Sequence, residues 1–149
     1  MTYATLEVNY KEYDSKGNLL EYTTKSGIST SIIWGYNQTK PIAKIEGASY
    51  SQVSSLASAI ITASNTDAAQ LPNNDEGIFL TALDTFRNSP TLSSFQITTY
   101  SYDPLIGVRS ITPPNGMREI YIYDNANRLK EVRDLNGRIL KENKYNYKQ

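Results

Sequence analysis

YIYDNANRLKEVRDLNGRIL, residues 121–140, decides the fold. Ile120 and Ile122 oppose Tyr121 and Tyr123 at a period of two, which places them on the two faces of a β-strand. The strand runs into DNAN (124–127), a second apolar stretch follows, and DLNG (134–137) ends it. Asp at the head of such a turn bonds its own downstream backbone, and Asn or Gly further on tolerates positive φ. The stretch therefore reads as strand, turn, strand and return turn, the unit of an antiparallel meander.

Working outward, the same grammar recurs. In TYATLEVNYKEY (2–13) Leu6, Val8 and Tyr10 alternate with Glu7, Asn9 and Lys11, and turn residues fall at DSKGN (14–18), KSG (25–27) and PPNG (113–116). Residues 2–46 and 95–147 are rich in Tyr, Ile, Val and Thr and are cut every ten to twelve positions. The middle differs in kind. Tyr50, Val53, Leu56, Ala57, Ile60 and Ile61 fall at helical spacing, with Ser49 and Gln52 placed as N-cap and capping-box partner. Asn73 followed by Glu76 repeats that cap signal, and Phe79, Ala82, Leu83 and Phe86 form a second stripe that Ser89-Pro90 stops. The expected fold is α+β in a single domain, 1–149. A twisted antiparallel meander of about eight or nine strands is divided into halves, 1–46 and 95–149, by a helical hairpin at 47–94 packed across one sheet face.

The turns carry a period. Tyr-Asp occurs at Tyr13-Asp14, Tyr102-Asp103 and Tyr123-Asp124, with Tyr36-Asn37 as a near copy. An aliphatic stands five residues after each Asp or Asn, at Leu19, Ile42, Val108 and Leu129; Gly27, Gly116 and Gly137 stand thirteen residues after the three Asp. Tyr145-Asn146-Tyr147 reads as the opening of a fifth unit.

These residues closely resemble the YD repeat of bacterial RHS-type proteins, roughly Tyr-x-Tyr-Asp-x-x-Gly-Arg-Leu followed by an Asp-x-x-Gly turn. Tyr121, Tyr123, Asp124, Arg128, Leu129, Asp134 and Gly137 match, with Asn127 where the family usually has Gly. Residues 100–112 and 13–27 match less fully: Gly107 comes one place late after Asp103-Pro104, and Asn18 stands where Arg is usual, although Tyr13, Asp14, Gly17, Gly27, Tyr102, Asp103 and Gly116 keep the signature. The resemblance covers about two thirds of the chain and leaves the helical hairpin as an insertion. It implies a β-sheet spiral whose hairpins add to form a shell in large secreted or surface proteins, often around a C-terminal toxin.

Composition narrows the chemistry. The 149 residues include no histidine and no cysteine, which excludes thiol nucleophiles, His-assisted triads and Cys/His zinc sites. Fifteen Lys+Arg balance fifteen Asp+Glu, so no global field steers the chain toward nucleic acid or an anionic surface. No apolar run reaches the length of a membrane span, and the polar N-terminus is unlike a signal peptide. No cofactor or metal is expected. Asp14, Asp103, Asp124 and Asp134 recur at turns, and recurrence answers a backbone need of each unit where a catalytic pair would be unique. A catalytic reading would need carboxylates outside the turns to converge, for which Glu46, Asp75, Glu76 and Asp84 are the candidates, and no spacing brings them together.

The tyrosines, 12 against 3 Phe and 1 Trp, pair across antiparallel strands; an open face of Tyr100, Tyr102, Tyr121 and Tyr123 is the alternative, suited to glycans. Trp34, in IIWGY, is expected packed beneath the hairpin. The basic cluster Arg128, Lys130, Arg133, Arg138, Lys141, Lys144 and Lys148 reads as edge protection and not as a nucleic-acid surface. The expected role is therefore a non-catalytic structural segment of an RHS-like secreted or cell-surface protein. Its expected partners are preceding repeats of the same polypeptide, or a second copy, paired through the first strand at 2–13.

Overall fold

A computed structural model describes residues 8–69 and 76–145. Among these residues, nine antiparallel strands form one sheet in chain order: β1 (Val8–Tyr13), β2 (Leu19–Thr24), β3 (Ser29–Gly35), β4 (Lys40–Glu46), β5 (Gln96–Asp103), β6 (Gly107–Thr112), β7 (Glu119–Tyr123), β8 (Leu129–Arg133) and β9 (Ile139–Glu142). Two helices, α1 (Tyr50–Ala69) and α2 (Gly77–Arg87), lie between β4 and β5. The α+β meander with its helical insertion is the fold read from the turns. Residues 2–7 of the expected first strand lie outside the described residues, as does Asn73.

Five connections adopt one turn. In 14–18, 24–28, 113–117, 124–128 and 134–138 the fourth residue has positive φ, namely Gly17 (82°), Gly27 (81°), Gly116 (80°), Asn127 (60°) and Gly137 (82°). In each, the amide of that residue donates to the carbonyl of the first, as Gly137 does to Asp134 at 3.0 Å. Asn127 takes the left-handed conformation at modest cost, which is why it substitutes for glycine.

The core lies between the helices and the central strands. Val53, Ala57 and Ile60 of α1 and Phe79, Leu83 and Phe86 of α2 are buried against Ile33, Ile42, Ala43, Ile45 and Ile97. The α1 stripe continues through Ser64 and Asp67, both buried. The Ser49 amide donates to Gln52 Oε1 at 2.8 Å, one half of a capping box. The Tyr50 amide donates to Glu21 Oε1 of β2 at 2.8 Å, so a strand carboxylate supplies the anion at the positive end of α1. Glu76 departs from its expected role. It occupies the N-cap position of α2 without a side-chain cap bond, and it turns inward to the sheet. Coverage is uneven: residues 9–13 of β1 and all of β9 are exposed.

Candidate functional site

The turn aspartates come first. Oδ1 of Asp14 accepts the amides of Lys16 and Asn18, both at 2.9 Å. Asp124 does the same for Ala126 (2.8 Å) and Arg128 (3.0 Å), and Asp134 for Asn136 and Arg138 (both 2.9 Å). Oδ2 then takes the side chain of the fifth turn residue: Asn18 Nδ2 at 3.0 Å, Arg128 Nε at 3.0 Å and Arg138 Nε at 3.1 Å. Asn18 thus does in the first turn what Arg does in the others. The amides of Arg128 and Arg138 hold the Asp124 and Asp134 carboxyls below the usual carboxylate range; at Asp14 desolvation is the largest single influence and pushes upward, but the bonds from Asn18, Gln38 and Lys16 together outweigh it and the carboxyl is again held low. Asp103 Oδ1 accepts the amide of Leu105 at 2.9 Å, and Gly107, the fifth residue of that turn, has no side chain to offer Oδ2.

The hairpins share a second device. Tyr13 faces Leu19, Trp34 faces Pro41, Tyr102 faces Val108 and Tyr123 faces Leu129, and beside each pair the ladder slips, leaving Leu20, Ile42, Arg109 or Lys130 as the extra residue of a β-bulge. The ladder to the following strand begins two residues further on, at Glu21, Ala43, Ser110 and Glu131. The carbonyls of residues 19, 41, 108 and 129 therefore sit in the fork between hairpins, beyond reach of the neighbouring main chain. An aromatic side chain from the next hairpin fills each fork. Trp34 Nε1 donates to Leu19 O at 2.8 Å, Tyr102 Oη to Pro41 O at 2.7 Å, Tyr123 Oη to Val108 O at 2.7 Å and Tyr145 Oη to Leu129 O at 2.6 Å. The β3–β4, β5–β6 and β7–β8 hairpins are each latched to the one before, and Tyr145, after β9, does the same to Leu129, at the place expected for the opening of a fifth unit. Glycine suits position 107, where φ is 151° and a Cβ would stand 3.0 Å from the Tyr123 hydroxyl and crowd the latch.

This register corrects the reading of the second unit. Tyr36-Asn37 is not its Tyr-Asp; Trp34 holds that place, with Pro41 and not Ile42 opposite it. Tyr36, Asn37 and Gln38 are three successive left-handed residues (φ 51°, 59° and 62°), a turn of another class. Trp34 is half-buried and lines a cleft of about 450 Å³ with Leu20, Tyr50 and Ile61, beside α1.

Tyr36 instead anchors the core. Its hydroxyl donates to Asp67 Oδ2 at 2.8 Å and accepts the Tyr102 amide at 3.0 Å, and its ring meets Phe79 and Tyr102 edge-on, each at 5.6 Å. Glu76, beside the same cluster, pairs with Arg109 at 3.0 Å and accepts Ser101 Oγ at 3.1 Å. Burial pushes the Glu76 carboxyl up against the pull of Arg109 and Ser101, and Asp67 adds to the rise; burial likewise pushes up the Tyr36 hydroxyl. The bulge at Arg109 places two successive residues, Arg109 and Ser110, where both reach this helix-side network, since Ser110 Oγ lies 2.6 Å from Ser101 Oγ. Asp67 is the member the sequence search missed. Its signal was position, three residues past Ser64 on the buried stripe of α1. Of the expected carboxylates, Glu46 is exposed and Asp84 pairs with Arg118 at 2.5 Å, while Asp75 lies outside the described residues. Neither Asp67 nor Glu76 lines the cleft at Trp34 or the cleft at Tyr121 and Tyr123.

The expected tyrosine face does not assemble as one surface. Tyr102 is 8% exposed and belongs to the core, and Tyr100 packs partly buried against it. Tyr121 and Tyr123 are half-buried and line a separate cleft with Asp103, Ile106 and Arg109. In the basic cluster, Arg133 pairs with Glu131, Arg138 with Asp134, and Arg128 with Asp124 while stacking on the Tyr145 ring at 4.1 Å. Among the described residues there is no group of His, Cys, Asp or Glu able to hold a metal, and no helix is long and apolar enough to cross a membrane. Comparison with protein-family models and with curated proteins finds no match to either.

Proposed function

We propose that the chain is a non-catalytic wall segment of the YD-repeat kind, part of an RHS-like secreted or cell-surface protein in which it contributes sheet to a shell or scaffold. The observation that carries this reading is the latch series, in which four hairpins meet their neighbours through the same fork, at the same two-residue offset, closed by the same kind of aromatic donor. A binding or catalytic site is a single constellation. The turn aspartates and the latch donors instead recur unit by unit, and each of them satisfies main-chain groups, which is the requirement of an extendable wall. The helical hairpin acts as a buttress: Arg87 donates to Thr99 Oγ1, Thr112 O and Pro113 O, tying α2 to β5, β6 and the turn after β6. Glycan binding through a tyrosine face finds less support, because Tyr102 and Tyr123 give their hydroxyls to the latches.

A wall of equivalent units accepts another unit. Inserting a second copy of residues 103–123 between Tyr123 and Asp124 adds two strands, one latch and one return turn without disturbing the register on either side. The expected product is a folded monomer whose far-UV circular dichroism gains β signal in proportion and whose unfolding remains a single transition. Loss of the cooperative transition would contradict the wall reading.

A further inference from the structure

β1 carries an aromatic at the place where β3, β5 and β7 carry theirs. Tyr13 faces Leu19 across a bulge as Trp34 faces Pro41, Tyr102 faces Val108 and Tyr123 faces Leu129. The other three close a bond to the preceding hairpin. Tyr13 is 55% exposed, and its hydroxyl has no hydrogen-bond partner among the described residues. β1 is the first strand of the sheet, and no strand lies on its outer side among the described residues. Among the described residues the edge thus has a row of unpaired main-chain groups and, at one end, a donor held where three others in the molecule make a carbonyl bond.

We propose that β1 is a docking edge for one kind of partner, the closing strand of a further hairpin of this same repeat, running antiparallel to β1 and presenting to Tyr13 the carbonyl two residues ahead of its ladder. The inference rests on the wall reading and adds to it the occupant of the edge and the residue that sets its register. It is continuous with the three internal junctions β2/β3, β4/β5 and β6/β7, whose even-numbered strands each offer such a carbonyl. A second copy of the chain offers no such strand: among the described residues every even-numbered strand is paired on both sides. Main-chain pairing gives the affinity of such an edge, and the Tyr13 fork selects the register, because a strand slipped by one residue turns its side chains to the wrong face.

The test places residues 119–138, the β7–β8 hairpin with its return turn, directly before Val8 in place of residues 1–7. That turn then leads into β1 as 24–28 leads into Ser29. In the extended chain β1 amides should gain protection from hydrogen exchange, and Tyr13→Phe should lower the folding equilibrium constant about tenfold, the loss of one internal hydrogen bond. In the original chain the same substitution should change it less than twofold. Tyr123→Phe should act equally in both and serves as the control. Equal effects of Tyr13→Phe in the two chains would overturn the role of Tyr13, and failure of the extended chain to fold, or to protect β1, would overturn the docking edge. Self-association of the original chain through β1, seen by sedimentation together with amide protection, would overturn the choice of occupant. Success of the 103–123 insertion alongside any of these failures would leave the wall reading intact and remove only the edge.

Discussion

The β7–β8 hairpin and the β3–β4 hairpin are built on one plan and held by different forces. Both have an aromatic opposite a bulge and a latch to the preceding hairpin. In β7–β8 the turn is closed by its own Asp124 and Arg128, β7 is half-buried along its length, and no helix residue takes part in closing the turn. In β3–β4 the turn has three left-handed residues without glycine. Its amides are satisfied from α1, Tyr36 by Ser64 Oγ at 2.9 Å and Asn37 by Asn65 Oδ1 at 2.7 Å. The outer hairpin encodes itself locally, whereas the central one is shaped by what packs on it. Unfavourable backbone conformations of this kind persist where the surroundings over-determine them.

The largest effect that separates the two regions is expected from glycine. Gly35 lies in ordinary strand conformation, but a Cβ there would collide with Ser64 Oγ and stand 2.7 Å from Ile42 Cδ1. Gly35→Ala should therefore cost about 3 kcal/mol, through overpacking and loss of the Ser64 bond to the Tyr36 amide. Gly137 has φ 82° with nothing within 4 Å of a Cβ, so Gly137→Ala carries only the left-handed penalty, about 1 kcal/mol. Urea titration of both variants measures the contrast. Equal costs would mean that helix packing does not shape the central hairpin.

Two hydroxyl deletions sharpen it further. Tyr36→Phe leaves the Tyr102 amide and Asp67 Oδ2 without this hydroxyl in the buried core, and should cost about 2 kcal/mol. Tyr123→Phe removes one latch at a half-buried fork that water can enter, and should cost about 1 kcal/mol. If the two are equal by chemical denaturation, the core hydroxyl is no more than another latch.

The same division explains what could be read from the chain. Asp124, Asn127, Asp134 and Gly137 act within five residues of their own position, so their turns were legible as sequence. Strand alternation and the α1 and α2 stripes are equally local, and with the turns they supply the fold. The latches were not legible, because each needs a register shift in one hairpin and an aromatic in the next, and nothing near Leu19 names Trp34 as its partner. Tyr36-Asn37 looks like Tyr-Asp by residue type and differs by environment: Ser64 and Asp67, some thirty positions away, hold it in another conformation. Glu76 showed the helix-start signal of a capping residue, and burial beside Arg109 and Ser101 gave it another use.

The smallest effect is the dependence of stability on pH, where the two regions have opposite signs. Asp124 and Asp134 in the outer turns, like Asp14, bind protons less tightly folded than unfolded, because the amides of Arg128 and Arg138, and the bonds from Asn18, favour the charged form. Their contribution is present above the unfolded value, about 3.9, and is lost as pH falls through the lower folded values. Glu76 is raised by burial and by Asp67 despite Arg109, so the folded state binds its proton more tightly than the unfolded state. Acidification from above its folded value toward the unfolded value, about 4.3, therefore stabilises the fold. The urea midpoint should rise slightly on going from neutral pH toward about pH 4.5 and fall below about pH 4. Glu76→Gln should flatten the rise and leave the fall, whereas Asp124→Asn should weaken the fall and leave the rise. A profile in which either substitution changes both limbs would mean that the central and outer regions do not titrate independently, and that the turn carboxylates feel the buried cluster.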